Sequence, residues 1–143
     1  DKYLSTIGVK ISHKLLQRDD YHLNLIIWDL AGGDDFVAHD KNYLRGAAGA
    51  LLVCDLTRPA TVELLHRYAR QLNEINPNAS MVIAGNKCDM IGENSKYLEY
   101  LDEMSQTINC QSLLTSAKTG ENAEKVIDLL ADMLILGSDL VTI

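Results

Sequence analysis

The chain has 143 residues, of which 47% are apolar, enough for one domain with a core of its own. Its formal charge is −7, with 13 basic residues scattered among 20 acidic ones, so it lacks the basic excess by which proteins neutralise nucleic-acid phosphates. No apolar run approaches the ~20 residues of a membrane span, and no basic segment precedes a long apolar stretch as in a signal peptide.

Three cysteines, Cys54, Cys88 and Cys110, are too few and too widely spaced for a disulfide framework. Cys54 lies in the apolar run GALLVCD and reads as a buried free thiol. The histidines at 13, 22, 39 and 66 form no close ligand pair with the cysteines, so a His/Cys metal site is not expected. These features fit a reducing compartment, the cytoplasm. The last residues, DLVTI, carry no cysteine motif for lipidation.

Thr6 to Leu16, TIGVKISHKLL, is partly alternating, with Ile7, Val9, Ile11 and His13 on one face and Lys10, Ser12 and Lys14 on the other. QRDD offers a turn, and YHLNLIIW alternates and ends apolar, which predicts an antiparallel hairpin. After Asp29 the chain enters LAGGDD, a glycine-marked loop. DDFVAHDKNYLRGAAG then reads as one irregular helix. Ala50–Cys54 (ALLVC), Met81–Ala84 (MVIA) and Ser112–Thr115 (SLLT) are apolar runs of the kind found in parallel strands covered on both faces.

Between and after these runs come segments with helical periodicity. TRPATVELLHRYARQLNEI repeats Val62, Leu65, Ala69, Leu72 and Ile75. KYLEYLDEMSQTI repeats Tyr97, Leu101, Met104 and Ile108. AEKVIDLLADMLILG turns Val126, Leu130, Met133 and Leu134 inward, with Asn122 as a candidate N-cap. Strand, helix, strand, helix, strand, helix is the order of a doubly wound α/β domain, which binds ligands at the carboxyl ends of its strands. The polar clusters fall there: Asp29, Asp55, Asn86-Lys87-Cys88-Asp89 and Ser116-Ala117-Lys118.

Each cluster has a chemical reading beside a plainer one. In NKCD, the Asp89 carboxylate is able to accept both the imino and the exocyclic amino hydrogens of guanine, a pair that adenine does not present. Asn86 holds loops together or meets the base edge. The stem of Lys87 covers a ring face while its ammonium stays wet. Taken alone, NKCD is also an ordinary polar turn. In SAK, backbone N–H groups face a purine carbonyl and Ser116 braces the loop, or the segment is simply an approach to a helix. Asp29 suits a magnesium ion held through water, Gly32 lets an N–H approach a terminal phosphate, and Thr6 offers a magnesium-binding hydroxyl. The plainer readings are a strand end, a glycine turn and a strand-start threonine. Trp28 continues its strand and reads as core.

Taken in order, YLSTIGV, WDLAGG, NKCD and TSAK resemble the small GTPases of the Ras superfamily, most nearly the Rab branch, and YLRGAAGALLVCD is similar to the Rab segment leading out of the second switch. The resemblance covers essentially residues 1–143 as one small GTPase domain. It implies a Ras-like P-loop GTPase fold: a doubly wound, mostly parallel sheet of six strands with one antiparallel hairpin strand, and five helices. It also implies binding of GTP or GDP with Mg2+. By the same resemblance, Tyr3 closes over the phosphates, Thr6 and Asp29 serve the magnesium ion, and Gly32 meets the γ-phosphate. Asn86, Lys87 and Asp89 then read guanine, and Ser116, Ala117 and Lys118 form the last guanine loop.

Two departures qualify this expectation. The family's GxxxxGK followed by Ser or Thr is absent, so the chain is expected to be a fragment lacking the first strand, the phosphate loop and the first helix. Gly33 stands where the family usually has the glutamine that positions the attacking water, and Asp34 where it has glutamate. The reading is therefore a guanine-nucleotide switch with slow GTP hydrolysis, in which Gly32 and Gly33 occupy the catalytic positions. Effectors or regulators would engage Thr6–Lys14 and Gly32–Gly46. The alternative is a non-cycling pseudo-GTPase acting as a protein-interaction domain.

Overall fold

The structure is a computed structural model that describes residues 10–17, 19–20, 22–29, 45–92 and 96–142; within these, side chains are described for 13–17, 19–20, 22–25, 45–92, 96 and 98–135. The chain divides into two compact units, Asp1–Gly46 and Ala47–Ile143. Among the described residues the strands form a two-stranded and a three-stranded sheet.

In the first unit, β1 (Lys10–Gln17) and β2 (His22–Asp29) pair antiparallel, from Lys10 opposite Asp29 to Gln17 opposite His22. The hairpin is the one expected, but Gln17 belongs to the strand rather than to the turn. Near the turn, buried Leu16 lies opposite half-buried Leu23, and half-buried Lys14 opposite half-buried Leu25. His13 and Leu15 are exposed, Leu15 at 59%. At this end the inward face is thus the one carrying Lys14, not the one carrying His13. Leu23 and Leu25 put apolar area on the Lys14 face, and the pair rather than a single strand decides which side is covered. Ile7 and Val9 lie outside the described residues.

The second unit is a parallel sheet in the order β3 (Gly49–Asp55), β4 (Ser80–Asn86), β5 (Gln111–Leu114). Its helices are α1 (Pro59–Ile75), α2 (Lys96–Ile108) and α3 (Ala123–Thr142). The expected irregular helix over 34–49 falls mostly on residues outside those described; Arg45 and Gly46 are helical, whereas Gly49 already belongs to β3. Central β4 buries five consecutive residues, Met81–Gly85, as a strand covered on both faces must.

One face packs under α3, where Val82 and Ala84 meet Val126, flanked by Leu51, Leu113, Ile127 and Leu130. On the other face, Gly85 lies against Leu56 and against Leu101 of α2. The buried stripe of α1 is Val62, Leu65, Ala69 and Leu72, and full burial of such a Val or Leu contributes about 1.5–3 kcal/mol. Tyr100 of α2 donates to Glu63 of α1 at 3.2 Å.

The helix ends follow from local chemistry. Pro59 opens α1 at a position where its missing N–H costs nothing. Asn109, at φ 62, closes α2 in the left-handed conformation that asparagine tolerates, and the Cys110 N–H returns to the Ser105 carbonyl at 3.0 Å. Among the described residues no helix is long and apolar enough to cross a membrane.

Candidate nucleotide site at the strand ends

Three carboxyl-terminal strand ends meet at one edge of the parallel sheet. Asp55 and Asn86 are the last residues of β3 and β4 and lie opposite each other in register, rather than following their strands. Thr115 and Ser116 follow β5 and are buried, Ser116 at 0% exposure. Buried hydroxyls need partners, and here the partners are the neighbouring loops.

Asn86 holds two strand ends together. Its Oδ1 accepts from the Ala117 N–H at 3.0 Å and from the Thr115 hydroxyl at 3.4 Å. The backbone repeats the connection, with Thr115 N–H to Gly85 carbonyl at 2.8 Å and Cys88 N–H to Thr115 carbonyl at 3.0 Å. Of the two roles open to Asn86 in the sequence, this geometry displays the loop-holding one. The Ala117 N–H, one of the loop donors considered for a purine carbonyl, is the group that donates to Asn86 here.

Asp89 sits in a short 3-10 turn, Cys88–Met90, and is exposed. The Ser116 hydroxyl donates to its Oδ1 at 2.7 Å and accepts from the Thr119 N–H at 3.1 Å. A carboxylate has about four acceptor positions, so this bond orients Asp89 and leaves acceptor capacity on both oxygens. The Cys88 thiol donates to Glu121 Oε2 at 3.5 Å, tying the same turn to the loop before α3. Burial and then the Glu121 contact push its pKa up, so the thiol stays protonated.

Lys87 precedes the turn in the left-handed region, φ 67 and ψ 33. A non-glycine residue there costs about 1–3 kcal/mol and persists only where its surroundings hold it. Its ammonium is not simply wet, as the sequence implied: it pairs with Asp55 Oδ2 at 2.9 Å, with side-chain exposures of 47% for Lys87 and 17% for Asp55. Asp55 Oδ1 in turn accepts from the Thr57 N–H at 2.9 Å and the Thr57 hydroxyl at 2.6 Å. Burial alone would raise the Asp55 carboxyl, but the Thr57 bonds and the Lys87 ammonium outweigh it and bring the pKa down to about 2.

The structure therefore brings Asn86, Lys87, Asp89, Ser116 and Ala117 together, with exposed Lys118 on the same loop. Tyr3, Thr6, Gly32 and Gly33 lie outside the described residues. Asp29 ends β2 opposite Lys10, in the other unit. Sequence reasoning gave no role to Thr57 or Glu121, and read Asn122 only as the N-cap of α3. Thr57 was findable, since a threonine two residues after an aspartate is a common turn signature. Asn122 stands just before α3 with φ 58, and its amide donates to the Leu114 carbonyl at 2.8 Å, anchoring the helix start to β5.

A doubly wound parallel sheet with its polar loops gathered at the carboxyl edge defines the class, a Ras-like α/β domain. The sequence model described as Ras family matches residues 1–135, and the chain belongs to that family. Ras-related protein Rab-8A of Gallus gallus is 31% identical over 130 residues, 90% of this chain and 63% of that protein, which makes the domain Rab-like. The chain thus spans just under two thirds of the length of this curated relative.

Proposed function

We propose that residues 1–143 work as one small GTPase domain that binds guanine nucleotides and acts as a molecular switch. The observation that carries this reading is the exposed Asp89 carboxylate held by buried Ser116 at 2.7 Å. An oriented acceptor at a strand-end edge suits the adjacent imino and amino donors of guanine. Asn86 keeps the two loops at fixed separation, and the Lys87 stem supplies apolar cover for the ring.

Family membership supports the reading for the remainder of the nucleotide. Tyr3 covers the phosphates and the Gly32 N–H meets the γ-phosphate. Both Asp55 oxygens and Asp89 Oδ1 are occupied by protein donors, whereas the hydroxyl of Thr6 and the carboxylate of Asp29 are the hard oxygen donors that magnesium prefers. When bound, Mg2+ offsets charge on the phosphate oxygens. Thr6–Lys14 and Gly32–Gly46 are the segments that would present the nucleotide state to effectors or regulators. Gly33 cannot hold an attacking water, so hydrolysis is slow.

Titration of GDP into the full protein and its Asp89→Ala variant tests the reading. The variant loses about 1.5–3 kcal/mol of binding, roughly 10- to 150-fold, as expected for hydrogen bonds to a charged acceptor. Equal affinities would remove Asp89 from the site.

A further inference from the structure

Asp55 and Thr57 have no place in the guanine contacts assigned above, yet their geometry is tightly specified. Asp55 ends β3 opposite Asn86. Its N–H donates to the Thr61 hydroxyl at 2.9 Å, which joins the strand end to the first turn of α1. Both Thr57 donors converge on Oδ1, at 2.9 and 2.6 Å, so the carboxylate cannot rotate freely and Oδ2 is left for the Lys87 ammonium at 2.9 Å. Lys87 reaches it because the left-handed turn at φ 67 carries the chain out of β4 directly after Asn86.

We propose that Asp55, clamped by Thr57, is a positioning residue that sets Lys87 before the nucleotide arrives. The proposal rests on the guanine-binding reading above. A lysine side chain that is half exposed has many rotamers, and a ligand that uses its stem must immobilise it on binding. The ion pair removes that freedom in advance. It fixes the stem one residue from Asn86 and two from Asp89, the residues that define the loop edge. The ammonium is thereby held over β3 while the methylene stem remains available as a flat apolar wall. Thr57 acts one step further back, by orienting the carboxylate.

A double-mutant cycle read by GDP titration of the full protein tests this, with thermal unfolding measured on every variant. Asp55→Asn keeps the size and the Thr57 bonds but removes the charge, and it weakens GDP binding about two- to fivefold, the range for a half-exposed ion pair. Thr57→Val weakens it in the same direction and by less. In the Lys87→Met background both losses disappear, because the positioned group is already gone. Parent-like GDP affinity in Asp55→Asn, with the parent binding normally, overturns the positioning role and leaves guanine binding intact. The same fold-loss with and without Lys87, accompanied by a lowered unfolding midpoint, also overturns it, since that is the signature of a purely structural aspartate. Failure of the parent to bind GDP at millimolar concentration overturns the guanine reading and this inference with it. Should Asp55→Asn not fold, Thr57→Val alone completes the cycle with Lys87→Met.

Discussion

Asp55 carries a consequence for acid stability. Its folded pKa lies at about 2 against an ordinary 3.8, pulled down by Thr57 and Lys87 against the opposing effect of burial. Between these values the unfolded chain binds more protons than the folded one. The contribution is therefore complete above about pH 4 and is lost as pH falls toward 2. Urea midpoints measured from pH 5 to pH 2 should fall less steeply in Asp55→Asn than in the parent. Parallel curves would mean that the Thr57 and Lys87 bonds do not stabilise the charged carboxylate. Asp89, by contrast, is exposed and accepts a hydrogen bond from the buried Ser116 hydroxyl, an arrangement suited to accepting further hydrogen bonds from outside the chain.

Among the elements, the parallel sheet leaves the least room for change at Gly49. A Cβ there would stand 2.9 Å from Leu134 Cδ2, 3.0 Å from the Ser80 carbonyl oxygen and 3.1 Å from Leu130 Cδ1. The leucine tips can shift, but the carbonyl belongs to β4 backbone. Gly49→Ala should destabilise the protein by about 1–3 kcal/mol through overpacking, visible as a lower urea midpoint with unchanged slope. An unchanged midpoint would show that α3 moves away from the sheet at no cost. The three strands of this unit were legible because ALLVC, MVIA and SLLT are apolar runs set between helical repeats, but only β4 is buried on both faces: Val53 of β3 is 55% exposed and β5 is at most half-buried. Ala131, fully buried in α3, escaped notice because a small side chain adds little to a hydrophobic stripe. Which face of the hairpin is covered near its turn was not legible, because it depends on Leu23 and Leu25 across the pair. The Asp55–Lys87 pair was hidden for a similar reason: 32 positions separate the two residues in the sequence, and only the β3–β4 register makes them neighbours.

At the scale of the whole molecule, membership of the Ras family supports the switch reading proposed above. Its consequence for turnover is specific. In-line attack depends on placing water and stabilising charge on the γ-phosphate; on the proposed reading Gly33 has no side chain for the first task, and the carboxylate of Asp34 would be repelled by like-charged phosphates. Single-turnover GTP hydrolysis by the isolated full protein should accordingly rise in Gly33→Gln, and a parent that already matches this variant would show another residue orienting the water. The central claim, that the Asn86–Asp89 and Ser116–Lys118 loops read guanine, is tested most directly by calorimetric titration of the full protein with GDP and, separately, with ADP. Both nucleotides share the ribose and diphosphate, so the ratio isolates the base. The account predicts that GDP binds at least tenfold more tightly, the discrimination expected when a charged acceptor loses its two donors. Equal affinity for GDP and ADP would contradict it.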